Sequence, residues 1–406
     1  MAHSPLFTGA RALAGIAAVG LLLTGCAATA SGSGSNLAVS GVCVPTEVGP
    51  GVTDSVIKVG TTMPLSGSGA ATGMATRDGQ QAYYDMVNAD GGVQGRQIEL
   101  MVLDDEYDPS TAQSRMRQLV EQEEIFVVSG GEGTPNFLGA VPYLERNKVP
   151  AIAPYAPSDE LGNMKNPHIF MAAVDYITEF ESVTNYILQN DSPSRVALVA
   201  VAGNVGENSE AGIKKAIGDK EIDLLYIPET PGTTDFTPIV TQLTQAGAEY
   251  VYLVLTNADT GGLLKAMDRV GYTPTTVAWG GMSDESYIEE YGDVSQGMLV
   301  ALETANLSTE DPTAADFIAT YTDLTGKAPT KFNQQGWVQA MITTEALKKA
   351  KGLSRPCVIE SLESFNGFET GIYPPITWGA DRRDGVKSVG VAVIEGTTLR
   401  VLQDVK

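Results

Sequence analysis

From Val56 onward, the spacing of apolar and polar positions switches repeatedly between the period of a strand and that of a helix. A β-branched run at 57–61 reads as a strand, and 75–88 carries apolar residues at helical spacing. "QIELMVLDD" alternates as a half-buried strand, 109–124 returns to helical spacing, "IFVVSG" is a strand, 135–146 a helix and "VPAIAPY" a strand. The order then begins again with helix "TEFESVTNYILQN", strand "RVALVAV", helix 209–217, strand "DLLYIPE", helix "FTPIVTQLTQA", strand "YVYLVLT", helix "TGGLLKAMDRVG" and strand "TVAWGG". Such alternation predicts parallel sheets covered on both faces, here in two α/β lobes. A helix-rich stretch follows from Pro312 through "QQGWVQAMITTEALKKAKG", and the end of the chain, through "TTLRVLQD", reads as antiparallel strands.

The turns between these elements carry the candidate chemistry. After the first strand, Gly67, Gly69 and Gly73 stand as G-x-G-x-x-x-G in "PLSGSGAATG". This spacing is close to a dinucleotide loop, but it equally describes the lip of a cleft where missing side chains admit a ligand to the backbone. Gly91, Gly92 and Gly95 supply left-handed backbone for a helix-to-strand turn. Asp104, Asp105 and Asp108 lack the glycine and terminal glutamate of a calcium loop and read as a solvated strand end or helix cap.

The net charge of -23 changes the picture by excluding a nucleic-acid partner, because no Lys/Arg surplus is available to replace phosphate counterions. The N-terminus sets the compartment. Arg11 precedes "ALAGIAAVGLLL", too short to span a bilayer comfortably and about right for an export signal, and the run ends in "LTGC". Leu23, Thr24, Gly25 and Cys26 resemble a bacterial lipobox, so 1–25 is expected to be a lipoprotein signal peptide with Cys26 lipidated. Residues 26–53 then form a tether and N-terminal extension, and the alternative is an uncleaved anchor helix. Export leaves Cys43 and Cys357 in an oxidising compartment, where a bridged pair is expected in preference to free thiols.

The lipobox and tether, "IKVGTTMPLSG", "GGVQGRQIELMVLDDEYDP" and "VPAIAPYAPSDELG" together resemble the type I solute-binding proteins of ABC importers, in the branch that binds leucine, isoleucine and valine. The resemblance runs from about Val56 to the C-terminus. It implies two Rossmann-like lobes joined by a three-strand hinge, with a ligand cleft between them. The N-terminal lobe would be 54–174 plus 304–373, and the C-terminal lobe 175–303 plus 374–406. Such a protein is not an enzyme, needs no cofactor and no metal, and works as an extracytoplasmic monomer, lipid-anchored to the bacterial cell membrane. Its partners are a small-molecule ligand (amino acid, amide or organic acid) and the permease and ATPase subunits of the importer. The alternatives are a sensory subunit of a membrane receptor and an extracytoplasmic nucleotide-dependent enzyme. Against the latter, the chain lacks a P-loop Lys-Ser/Thr and a G-x-S-x-G elbow.

Ligands of open α/β sheets settle beyond the carboxyl ends of strands. The expected ligand contacts on that ground are Ser66, Gly67 and Thr72 in the first loop, Thr134 in "SGGEGTPN", Tyr155, Ala156 and Ser158 in "PYAPSD", and Asn204, Val205, Thr256, Asn257, Gly281 and Met282 from the other lobe. The resemblance implies that Thr134 meets a ligand carboxylate and that the Tyr155 carbonyl meets an ammonium. Pro157 falls where a hydroxyl is usual, Thr72 replaces a frequent aromatic, and Val205 and Thr256 replace tyrosines. The acid that pairs with the ligand ammonium matches Gly281, so a standard amino acid needs another carboxylate. Asp284 and Glu132 are the candidates, although each reads first as solvated surface; a small organic acid, amide or aromatic carboxylate fits as well. His168 reads as a residue at an element end, Trp337 as core, and Tyr155 as the preferred aromatic contact, with Trp279 open between cleft and core.

Overall fold

The computed structural model describes residues 41–307 and 312–405. The signal-peptide reading and Cys26 lie outside the described residues.

The first sheet holds β1 (Val56–Met63), β2 (Gln97–Asp104), β3 (Val127–Ser129), β4 (Ala151–Ile152) and β5 (Ile169–Phe170), in the order β2-β1-β3-β4-β5 and all parallel. α1 (Ala70–Ala89), α2 (Pro109–Glu121) and α3 (Thr134–Arg146) connect its strands. The strand expected at 149–155 shrinks to two residues, because Pro150 and Pro154 bracket it and Ala153 adopts φ 55°. α1 begins earlier than its apolar spacing indicates, because its first turn, Ala70 to Gly73, is built of small residues that show no period.

The second sheet is seven-stranded, ordered β12-β11-β10-β9-β8-β6-β7. Its members are β6 (Arg195–Val201), β7 (Asp223–Glu229), β8 (Tyr250–Val254), β9 (Thr275–Ala278), β10 (Leu299–Leu302), β11 (Gly390–Glu395) and β12 (Thr398–Gln403). β6 to β10 are parallel, and β11 and β12 add an antiparallel edge, as the polar turns of the C-terminal segment indicate. Five helices belong to this lobe: α4 (Tyr176–Asn190), α5 (Asn204–Ile217), α6 (Thr237–Ala246), α7 (Asn257–Arg269) and α8 (Glu285–Tyr291). β10 and α8 had no counterpart in the sequence reading, because four apolar residues and a seven-residue helix are too short to show a period.

α9 (Pro312–Thr325), α10 (Lys331–Lys349) and α11 (Arg355–Glu363) return to the first lobe. α10 lies against α1 at backbone distance. A Cβ on Gly79 would stand 2.0 Å from the Asn333 carbonyl oxygen, and one on Gly336 would stand 1.9 Å from that of Thr76. Gln80 donates to Gln339 across the same seam at 2.7 Å. Trp337 belongs to this core, edge-on to Tyr83 with ring centroids 4.9 Å apart.

The chain passes between the sheets after β5, after β10 and before β11. The first and third passages pair, with Met171 N–H donating to Arg383 O at 3.0 Å and Gly385 N–H to Met171 O at 2.8 Å. Fully buried Arg383 locks them, its guanidinium 2.7 Å from Glu363 and 4.3 Å from the Phe170 ring centroid. Cys43 is bonded to Cys357 at the start of α11, tying the N-terminal extension to the first lobe. Gly91, Gly92 and Gly95 all have positive φ, at 93°, 74° and 77°. His168 stands at an element end, directly before β5, but it is buried rather than in contact with solvent, and its Nδ1 lies 2.6 Å from Glu145.

Candidate ligand-binding site

The carboxyl ends of both sheets face a cavity of about 30 Å³. The first lobe contributes Ser68, Gly69, Thr72, Tyr107, Glu132, Gly133, Thr134, Tyr155 and Pro157. Across from them stand Tyr176, Val201, Val205, Val254, Leu255, Thr256, Asn257 and Trp279. Hydroxyls and a carboxylate line the first lobe, and the second sets four aliphatic side chains beside Tyr176, Thr256, Asn257 and Trp279. No Lys, Arg or His is among these residues. A space of this size admits water and is far below the roughly 300 Å³ or more of a small-molecule pocket, so a solute enters only if the lobes part.

Glu132 is the charged residue of the wall. Gly131 and Gly133, at φ 135° and 97°, flank it, and the segment pairs with Tyr155 through Gly133 N–H to Tyr155 O at 3.1 Å and Tyr155 N–H to Gly131 O at 3.0 Å. The residue is 4% exposed. Its Oε1 lies 3.0 Å from Thr72 Oγ1, and its Oε2 has no hydrogen-bond partner. Burial pushes its carboxyl up to about 7, against the opposing pull of Thr72 and of the Lys331 charge. The solvated-surface expectation for Glu132 is therefore corrected. The signal in the sequence is an acid set between glycines at a strand end, where the backbone cannot carry it away from the cleft.

Tyr107 reaches the wall through an unusual turn. Glu106 and Tyr107 both have positive φ, 58° and 60°, a conformation costing about 1–3 kcal/mol per residue. Asp104 accepts from Leu65 N–H and Glu106 N–H at 2.9 Å, and Asp105 accepts from Tyr107 N–H at 3.0 Å. Asp105 is fully buried beside Asn136, 2.7 Å away, and burial raises its carboxyl to about 6, so it is not the solvated strand end expected. Asp108 does cap α2, accepting from Thr111 N–H at 2.7 Å. The ring held by this turn packs over Gly69 and Gly133, whose added Cβ atoms would stand 3.2 and 2.7 Å from it. Gly73 is small for another reason: its Cβ would meet Pro64 O at 2.0 Å. The glycine loop is thus shaped by packing against Pro64 and Tyr107 more than by approach to a ligand.

Of the residues expected to touch ligand, Thr72, Thr134, Tyr155, Val205, Thr256 and Asn257 lie on the cavity wall. Ser66 and Gly67 are exposed outside it, their place taken by Ser68 and Gly69. Ala156 and Ser158 are buried behind Pro157, with Ser158 Oγ accepting from Glu160 N–H at 3.2 Å. Asn204 sits at the rim, donating to Glu160 of the first lobe at 3.3 Å. Gly281 and Met282 are buried off the wall in a 3-10 turn. Where an acid was expected at Gly281, a Cβ would stand 2.3 Å from the Trp279 indole, so the ring fills that space. Asp284 is a buried helix cap, accepting from Ser286 N–H at 3.0 Å. Thr134 is the first residue of α3, with Gly133 as the cap, and its Oγ1 lies 3.4 Å from the Tyr176 hydroxyl. Tyr107, Tyr176 and Trp279 complete an aromatic wall whose members come from separate turns.

Behind Tyr155 lies a buried polar cluster that sequence reading missed. The Tyr155 hydroxyl donates to Glu303 at 2.5 Å and accepts from Lys331 Nζ at 2.8 Å, so only its ring is free for the cavity. Lys331 is 3.3 Å from Glu303. Glu179 of α4 accepts from Gly280 N–H at 2.7 Å, and burial together with the neighbouring Glu303 charge pushes its carboxyl well above the usual range. The contributors sit beside the interlobe passages, so the cluster joins the lobes where the chain crosses.

Two parallel-sheet lobes with a cavity between the carboxyl ends of their strands define a cleft-type solute-binding protein. The chain belongs to the periplasmic binding protein family, in its type I two-lobed form: the family model matches residues 56–398. The Leu/Ile/Val-binding protein homolog 3 of Brucella melitensis is 29% identical over 266 residues, 64% of this chain and 71% of that protein. The leucine-, isoleucine-, valine-, threonine- and alanine-binding protein of Pseudomonas aeruginosa is 24% identical over 340 residues, covering 84% and 89%. Among solved structures, the fatty acid ABC transporter substrate-binding protein from Thermomonospora curvata superimposes with a TM-score of 0.82 at 21% identity, covering 89% of this chain and 94% of that one. The protein is a binding protein and not an enzyme, and its family places it outside the cytoplasm.

Proposed function

We propose that the chain is a lipid-anchored receptor, held through Cys26, that captures a small amino-acid-like solute between its lobes and delivers it to an ABC permease. Its N-terminal lobe would be 54–174 plus 304–373 and its C-terminal lobe 175–303 plus 374–406. The observation that carries this reading is a cavity walled by both lobes at the carboxyl ends of their strands, with hydroxyls and a carboxylate on the first lobe and four aliphatic side chains beside Thr256 and Asn257 on the second. Closure is driven only by contacts that exist when both lobes touch the solute, which a wall divided in this way supplies. The first turn of α3, with Thr134 Oγ1 and the backbone N–H groups that a helix start leaves without an intrahelical partner, suits a carboxylate. Val201, Val205, Val254 and Leu255 suit a short aliphatic group.

A thermal-shift screen of the purified mature chain against amino acids, short acids, amides and aromatic carboxylates tests the reading. A solute at 100 times its Kd stabilises the fold by about 2.7 kcal/mol. A library in which nothing moves the Tm would contradict it. Thr134→Ala is expected to weaken a carboxylate-bearing hit about tenfold while leaving the ligand-free Tm within a degree or so, because one charge-assisted hydrogen bond is lost at a helix terminus. An unchanged Kd would move the carboxylate elsewhere.

A further inference from the structure

We propose that Glu132 is the receptor for a protonated amine on the ligand, and that the amine's arrival drives a proton from Glu132 to solvent. This rests on the receptor reading and narrows its ligand class to amine-bearing solutes whose polar head lies on the first lobe.

Three observations carry it. First, Glu132 lines the cavity, is 4% exposed, and keeps one carboxylate oxygen without a partner. A buried carboxylate oxygen in such a position is an acceptor awaiting a donor. Second, Tyr107 and Tyr176 share the wall with it, and aromatic faces attract a cation, whereas the Tyr155 and Trp279 rings already lie 4.7 and 5.9 Å from Lys331 Nζ. Third, the Thr72 hydroxyl stands 3.0 Å from Glu132 Oε1 and 3.0 Å from the Gly69 carbonyl. One hydroxyl proton cannot serve both acceptors. If Glu132 carries a proton, it donates to Thr72, Thr72 donates to Gly69, and both contacts are made.

The charge surroundings agree. Asp105 from the turn after β2 disfavours a second negative charge at Glu132, and Lys331 of α10 favours it, while the Tyr107 hydroxyl of the same turn is kept neutral by burial and by Glu132 itself. Tyr176 faces it from α4, and Glu229 and Asp259 of the second lobe act on the same Tyr107 hydroxyl. Lys331 is itself paired with Glu303 at 3.3 Å, which limits its pull. The ionised form of Glu132 is therefore favoured by a ligand cation more than by the protein's own groups. On binding, the amine stays protonated, the Glu132 proton passes to buffer, and an ammonium–carboxylate pair remains. A zwitterion then spans Glu132 and Thr134, two residues apart, and its side chain points to the aliphatic wall of the second lobe.

The test titrates the mature chain calorimetrically with L-leucine, L-valine, L-alanine and isopentylamine, and with the amine-free acids 4-methylpentanoate and 3-methylbutanoate. Each titration runs in two buffers of different ionisation heat, from pH 5.5 to 8.5. The expected result is that at least one amine-bearing probe binds while its amine-free counterpart does not. Kd should weaken about tenfold per pH unit below about pH 7 and level off above it, with close to one proton released in the acid range. Glu132→Gln should weaken the amine-bearing probe by about 30-fold or more and flatten the pH profile. Glu132→Asp, which keeps the titrating group, should retain proton release, and it carries the test if the glutamine variant fails to fold. Amine-free acids binding as tightly as their amine parents, or a Kd and pH profile indifferent to Glu132→Gln, would overturn the inference and leave the receptor reading standing. Failure of every amine-bearing probe would overturn the inference, and the receptor reading would then be decided by the broad thermal-shift screen alone.

Discussion

Lys331→Met is expected to destabilise the chain by about 3–5 kcal/mol, measured by urea denaturation of the purified mature protein. Lys331 is 2% exposed, and its ammonium is the cation that Glu303 meets, at 3.3 Å, with the Tyr155 hydroxyl 2.8 Å away. The variant leaves the Glu303 carboxylate buried with the tyrosine hydroxyl as its donor, and Glu179 nearby adds repulsion when it ionises. Loss of one member of a buried pair is costly because the survivor keeps its desolvation without its attraction, whereas loss of both is often close to neutral. Lys331→Met combined with Glu303→Gln should therefore recover most of the loss. A single variant no worse than an ordinary surface substitution would show that the cluster is hydrated and does not join the lobes as described.

Gly336→Ala is expected to cost about 3 kcal/mol, the upper end of what overpacking a well-filled interior does. The added methyl would stand 1.9 Å from the Thr76 carbonyl oxygen, a backbone atom of α1 that cannot swing aside as a side chain would. Relief requires α10 to lift from α1, loosening the Gln80–Gln339 bond and the Tyr83–Trp337 contact together. Gly79→Ala meets the Asn333 backbone from the other side of the seam and should behave alike. Either variant folding with unchanged stability would mean that the two helices do not approach so closely.

The α/β order was legible because period and turn chemistry agree along the chain: "RVALVAV" is β6 residue for residue, and "DLLYIPE" is β7. β4 was overestimated because hydropathy does not register prolines that remove ladder donors. The site was legible only in part. Thr72, Thr134 and Thr256 stand at strand-to-helix junctions, where the position of a loop indicates the position of a ligand. Glu132 and Asp105 read as surface residues because composition cannot report that a turn is covered, by the facing lobe over Glu132 and by Asn136 of the same lobe over Asp105. Tyr107 depends on two positive φ angles that no residue type announces. Trp279 supplanting an acid at Gly281 depends on one ring filling another residue's side-chain space. The Tyr155–Lys331–Glu303 cluster joins positions 176 and 28 residues apart, a pairing that only the folded chain reveals.

The central claim is that the two lobes grip one small solute between them. Small-angle X-ray scattering of the purified mature chain, titrated with the solute that most raises its Tm, addresses this directly. The account predicts that the radius of gyration falls saturably and levels off at one equivalent, as the walls of the two lobes close on the ligand. A solute that binds at one equivalent and leaves the radius of gyration unchanged would contradict it, placing the binding site on a single lobe.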